Sequence, residues 1–379
     1  MNKKKVLIVH GHSSIEIFHT IVPFYLLSEK ETNYIFEFVD YKFFNPKRNI
    51  ADILILVRKY HSLSLEEVSS REFILEDIRK FKEKYKKVIY FDDSAAISHI
   101  LFFILPYVDS YWVRGLLKDK SQYQKKYFGG RTYSDYYLKE NNLKDLSNYF
   151  NPAFNFTNQT KIKIAWNIGI GCFPIYKNKL FNKYYFFIRR FCCFLSLLSL
   201  NFLIKKIIKF YINEMKSELK RDFNIKDKVQ KISARFTYKG YYNSVGFQRK
   251  LALQKINNIS IFLTGKLKSW QYLKECYDML GTLSPFGWGE ICYRDFEASL
   301  SQSLLIKPNM DHLETWPNIF SEDYYYKLSW DLENINQVEE YISKNKAEIY
   351  SKIKNSRSVY LEALNQSSKR ALDLLDQIE

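Results

Sequence analysis

Apolar residues come in short blocks along this chain, separated by polar stretches with helical spacing. The run VLIVH stops at an HGHSS loop, and IEIFHTIVPFYLLSEK (15–30) then has the apolar spacing of a helix. YIFEFVDY (34–41), ADILILVRKYH (51–61), KKVIYFDD and SYWVRG (110–115) predict strands, with a charged helix over 66–86. Such alternation predicts βαβ units around a parallel sheet. Loops are expected at KKYFGGRTYSDYY (125–137) and YFNPAFNF (149–156). A second strand–helix series runs through KVQKISARF (228–236), ISIFLTGKL (259–267), SWQYLKECYDML (269–280) and SLLIKP (303–308). The pattern divides the chain into an α/β half over 1–160, a linker with a helical segment over 161–225, and a second α/β half over 226–345. Helices over 346–379 complete it.

Charge changes this picture more than composition does. Thirty Tyr and thirty Phe against twelve Gly fit the coding bias of an AT-rich genome as well as any function. A formal net charge of +17 favours anionic partners: nucleic acid, acidic phospholipid or phosphorylated substrates. Residues 179–221 hold ten basic and two acidic residues around FCCFLSLLSLNFLI (191–204), a run too short for a bilayer span. That segment suits either peripheral contact with an anionic membrane or a buried inter-domain helical hairpin. Five Cys without a CxxC pair and six His give no metal pattern, so reduced thiols and a cytoplasmic setting are expected.

In open parallel sheets, ligand chemistry gathers beyond the carboxyl ends of the strands. Polar residues there include His12, Asp92, Asp93 and Arg114 in the first half, and Arg235, Lys239, Gly265 and Lys266 in the second. His12 has a general base's intrinsic pKa, while Asp92 or Asp93 serves equally as base or helix cap. The stretch SPFGWGEICYRDFEASL adds Gly287, Trp288, Gly289 and Glu290 before a helix. That helix start offers free N–H groups to a phosphate, Arg294 adds a fork of donors, and Glu297 lies one turn on. Glu290 and Asp295 are expected to face solvent if they do not meet the ligand. No GxxxxGK[ST] loop is present, which argues against a P-loop nucleotidase.

SPFGWGEICYRDFEASLSQSLLIKP resembles the donor-binding segment of GT-B glycosyltransferases. It is most similar to a bacterial surface-polysaccharide group (lipopolysaccharide, O-antigen or capsule) with an R-x-F-E-A helix. KPNMDHLETWPNIF (307–320) and GGRTYSDYY (129–137) resemble the same group. The resemblance implies two Rossmann-like domains facing across a cleft and a nucleotide-sugar donor used as substrate without metal or resident cofactor. It also implies a glycan or lipid-linked acceptor. Gly287 and Gly289 would form the diphosphate loop, Arg294 would contact phosphate and Glu297 the ribose. Many retaining members have an acidic residue eight positions before the helix Glu, and Gly289 stands there instead. A basic nucleic-acid-binding protein or a non-catalytic scaffold of the same fold is the alternative reading, and the absence of any recognised nucleic-acid module speaks against the former.

Overall fold

The computed structural model describes residues 3–58, 60–61, 68–128, 130–143, 149–150, 160–175 and 179–378. Lys59, Gly129 and most of YFNPAFNF lie outside them. In the first domain, β1 (Lys4–His10), β2 (Tyr34–Asp40), β3 (Ile53–Val57), β4 (Lys87–Asp92) and β5 (Ser110–Val113) pair with β9 (Ile162–Ile164) in a parallel sheet. Its order is β2-β1-β3-β4-β5-β9. Both faces are covered, so β3 reads ILILV without alternation and every one of its residues is buried. The sheet thus reaches past the boundary expected at residue 160, because Ile162–Ile164 supplies its edge.

The helix expected over 15–30 is broken into two. A π-helical turn spans Glu16–Thr20, and α1 (Val22–Leu27) begins with Pro23 in its first turn. Proline has no N–H to give to the preceding turn, so the backbone restarts there. The other helices of this domain are α2 (Val68–Lys84) and α3 (Thr132–Glu140). A hairpin of α4 (Lys179–Leu197) and α5 (Asn201–Lys220) packs on the first domain as well, through Tyr185, Cys192, Ile204, Ile208 and Met215.

The second domain repeats the design. β10 (Val229–Ser233), β11 (Phe262–Leu263), β12 (Met279–Leu283), β13 (Leu304–Pro308) and β15 (Tyr326–Leu328) form a parallel sheet ordered β11-β10-β12-β13-β15. Around it lie α6 (Asn243–Ile256), α7 (Ser269–Asp278), α8 (Tyr293–Leu300) and α9 (Val338–Lys344). This is the two-domain, GT-B-like arrangement anticipated from sequence.

Two devices join the domains. β6 (Gly115–Leu117) pairs antiparallel with β14 (Leu313–Thr315), one strand from each half of the chain. A smaller antiparallel pair, β7 (Tyr127–Phe128) with β8 (Tyr149–Phe150), lies within the first half. The second device is α10 (Lys346–Asp376), thirty-one residues that start on the second domain and end on the first. Arg357 donates to the carbonyls of Glu218, Leu219 and Arg221, closing the last turn of α5, and to Ser299 of α8. Further along, Tyr360 donates to the Gly169 carbonyl at 2.6 Å and Asp376 accepts from Tyr34 at 2.9 Å.

Candidate functional site

In each parallel sheet the strand order reverses between the first and third strands in sequence, the point where open α/β sheets leave a crevice. The two crevices face one another across a cleft of 1140 Å³. Ile15, Ala95, Arg114 and Ile168 line it from the first domain. From the second domain come nine of the residues expected from sequence: Arg235, Lys239, Gly265, Lys266, Gly287, Trp288, Gly289, Arg294 and Glu297. Seven strand exits and a helix, scattered over the chain, are thereby brought together.

The basic side chains in the cleft differ in how they are paired. Arg235 grips Glu275 with two nitrogens, 2.9 and 2.5 Å, and also donates to the Thr264 carbonyl. Its charge is therefore matched within the protein. Gly265 follows Thr264 with φ at +96°, a conformation that favours glycine. Arg294 donates to the Arg235 carbonyl at 3.2 Å, lies over the Phe236 ring, and leaves its Nε without a partner. Arg249 of α6 is 5% exposed and donates to the carbonyls of Phe286 (2.6 Å) and Thr237 (3.1 Å). No carboxylate pairs with it among the described residues. A buried guanidinium without a counter-ion is costly unless an anion completes it.

Arg249 was not singled out in the sequence. The available signal was negative: α6 reads NSVGFQRKLALQKI and contains no acidic residue to pair with it.

The start of α8 is less open than expected. Asp295 accepts from the Cys292 N–H at 2.8 Å, satisfying one of the donors that would otherwise greet a phosphate. Asp295 is fully buried, takes the Ser284 hydroxyl at 2.6 Å and lies 3.1 Å from Lys307 Nζ. The expectation of a solvent-facing Asp295 is thus corrected, because Lys307 neutralises it inside the domain. One turn on, Glu297 lines the cleft and accepts from Tyr272 at 2.8 Å. Burial pushes the Glu297 carboxyl above the usual range, opposed by the neighbouring Arg294. Burial also pushes the Tyr272 phenol well up, so it remains a donor.

First-domain groups clamp the glycine loop. Tyr133 donates to the Gly287 carbonyl at 2.6 Å and Arg131 to that of Trp288 at 2.8 Å. Gly289 passes so close to the first domain that a Cβ there would lie 1.8 Å from the Ala95 carbonyl oxygen. Backbone proximity therefore explains why no acidic side chain occupies that position.

Glu290 turns away from the cleft and is fully buried, accepting from the Ile97 N–H at 3.2 Å. It neither lines the ligand space nor faces solvent, because the docked domains enclose it. Burial raises its carboxyl above the ordinary value. A carboxyl raised by folding contributes stability below its unfolded pKa and loses it as pH climbs through the folded value. Relative to Glu290→Gln, the natural chain is therefore expected to gain stability as pH falls toward about 4.5. Parallel melting curves across pH check this, and identical slopes for both proteins would refute it.

The first-domain acid–base candidates His12, Asp92 and Asp93 do not line the cleft. His12 holds Asp40 at 2.9 Å through Nδ1. Asp92 is committed to Arg58 (2.6 Å), the Tyr111 hydroxyl (2.5 Å) and the Ser94 N–H (3.0 Å). Asp93 accepts from Thr20 at 2.7 Å and from Arg114 at 3.2 Å, so it holds in place the guanidinium that does line the cleft. Among the described residues no group of three or more His, Cys, Asp or Glu is arranged to hold a metal.

No protein-family model matches this chain, and no curated protein matches it. Solved structures with a similar fold include a glycosyltransferase from Rickettsia africae ESF-5, 11% identical with a TM-score of 0.43, covering 100% of this chain and 99% of that one. Sucrose-phosphate synthase from Thermosynechococcus elongatus is 8% identical, TM-score 0.45, with 99% of each chain covered. The E. coli trehalose-6-phosphate structure bound with UDP-2-fluoro glucose is 8% identical, TM-score 0.47, covering 99% and 98%.

Proposed function

We propose that the chain is a glycosyltransferase moving a sugar from a nucleoside-diphosphate donor to an acceptor hydroxyl. The observation that carries this reading is Arg249, a buried cation in the cleft with no carboxylate partner among the described residues, which lines the same cleft as Arg294 with its unpartnered Nε. Together they supply the donors that a diphosphate needs. As the acceptor oxygen attacks the anomeric carbon, the bond to the diphosphate breaks and negative charge grows on the leaving phosphate. Fixed guanidinium groups stabilise that charge more than the ground state, which lowers the barrier without a metal. Glu297, oriented by Tyr272, accepts from the ribose. Trp288 and Tyr241, whose rings lie 5.1 Å apart at the cleft wall, offer faces for the base or sugar. His12, held by Asp40, and Asp93, which anchors the cleft-lining Arg114, are the first-domain groups with the chemistry to take the acceptor proton. Both stand behind the cleft wall, so a proton reaches either one only through an intervening group.

The acceptor is a glycan or lipid-linked glycan of a bacterial surface polysaccharide, handled in the cytoplasm at the inner face of the membrane. Titration with UDP-, GDP-, CMP- and TDP-sugars, read by Trp288 fluorescence and sugar transfer, tests the reading. Arg249→Met is expected to weaken nucleotide binding roughly 30-fold, the value of a lost charge-assisted contact. Saturable binding of none of these donors, together with tight binding of nucleic acid, would overturn it.

A further inference from the structure

We infer that the outer face of α4, continued onto α5, is a docking surface for a bilayer containing anionic lipid. Phe187, Phe191, Phe194 and Leu198 recur at spacings of four, three and four, which places them along one side of a helix. That side is uncovered: Phe187 is 68% exposed, Phe194 53%, Leu198 51%, and Phe202 at the start of α5 56%. Phe187, Phe191 and Phe194 stack on one another with centroids 6.4 Å apart, forming a continuous aromatic ridge. The opposite side of α4 is buried on the first domain through Tyr185, Cys192, Leu195 and Ser196. Sequence reading left open a buried inter-domain hairpin; that description fits the inner side only.

Charge selects the occupant. From Lys183 to Asn213 there are six basic residues and no acidic one; Lys209 pairs with Glu29 of the first domain at 2.8 Å and Arg189 turns inward to Ser14. Lys183 and Arg190 flank the ridge, while Lys206 lies over the Phe202 ring at 6.0 Å. A second copy docked by this face would set those cations against their equals, whereas phospholipid headgroups would pair with them. No helix among the described residues is long and apolar enough to cross a membrane. The surface therefore lies on a bilayer, with aromatics in the acyl boundary and basic groups among headgroups. Its position also fits: Arg189 of α4 donates to Ser14 at 3.0 Å, one residue from Ile15 in the cleft wall. A hydroxyl held at the membrane surface is thus delivered beside the first-domain side of the cleft.

Co-sedimentation of the full chain with phosphatidylcholine vesicles, with and without about one-third phosphatidylglycerol, tests the inference. Binding is expected on the mixed vesicles, weaker on the neutral ones and weakened by salt. Phe187→Ser with Phe194→Ser should reduce partitioning at least ~10-fold on mixed vesicles. Lys183→Glu with Arg190→Glu should reduce it roughly 30-fold there and little on neutral vesicles. Both variants change exposed positions, so unchanged melting and unchanged nucleotide binding in lipid-free buffer separate lost docking from lost folding. Because nucleotide binding is read without lipid, this surface and the donor site fail or survive independently. Absence of vesicle binding, variants that bind like the natural chain, or a dimer that the Phe variants dissociate would each overturn the inference.

Discussion

Lys307→Met is expected to destabilise the chain by about 3–5 kcal/mol, the cost of leaving one partner of a buried ion pair alone. Neither Lys307 nor Asp295 has any exposed side-chain surface, and 3.1 Å separates their charged atoms. Lys307 arrives on β13, beneath the Phe286 ring and within 3.4 Å of the Ser284 carbonyl. Asp295 caps α8 and takes the Ser284 hydroxyl, so the pair ties a strand, a helix start and the strand-exit loop into one unit. Removing the ammonium leaves a fully buried carboxylate with only two neutral donors, the Ser284 hydroxyl and the Cys292 N–H. Adding Asp295→Asn should recover part of the loss, since the buried charge is gone and the amide oxygen still accepts from Ser284, while the amide NH2 then faces the Cys292 N–H. Urea midpoints of the single and double variants measure this. A single variant as stable as the natural chain would show that the ion pair contributes nothing to the fold.

Gly289→Ala is expected to lower sugar transfer about 100-fold while leaving nucleotide binding within a few-fold of normal. The new Cβ would stand 1.8 Å from the Ala95 carbonyl oxygen. The new methyl group meets a backbone carbonyl, and no rotamer relieves it. The domains must separate locally by more than an ångström, stretching the Tyr133–Gly287, Arg131–Trp288 and Ile97–Glu290 bonds. Arg249, Arg294 and Glu297 all belong to the second domain and move together, so the nucleotide contacts survive. What is lost is the registration of acceptor-side groups against the donor. Ala95→Gly should not rescue the variant, because the clash is with a carbonyl rather than a methyl group. Comparison of transfer rate with nucleotide affinity for the three proteins decides the matter; equal transfer by Gly289→Ala would place the loop elsewhere during the reaction.

The architecture was largely legible because β1, β3 and β4 are buried on both faces and so read as unbroken apolar runs. Legibility failed where local pattern competes with tertiary context. The edge strand Ile162–Ile164 is three half-buried residues whose only reason to be a strand is the neighbour Ser110–Val113. At the site, glycines and the Arg294/Glu297 spacing marked the right loop, since tight backbone geometry and one-turn helical spacing leave local traces. Arg249 left only a negative trace, the lack of any acidic residue in α6, because its significance lies in the missing partner, a property of the packed domain. Glu290 is the converse: adjacent to the loop in sequence, it is turned by the docking of the domains toward Ile97 and away from the cleft. Charge at strand exits likewise identified Asp92 and Asp93 without revealing that Arg58, Tyr111 and Arg114 engage them.

The span of α10 bears on how the protein is made. The apolar side of α1 is covered by this last helix, whose Tyr360 and Asp376 reach Gly169 and Tyr34. During synthesis one flank of α1 therefore stays bare until α10 has been made and packed against it. Interrupted translation products lack that cover and present apolar surface to proteases and chaperones. The same helix that braces the cleft thus ties maturation of the first domain to a segment made only after the second domain.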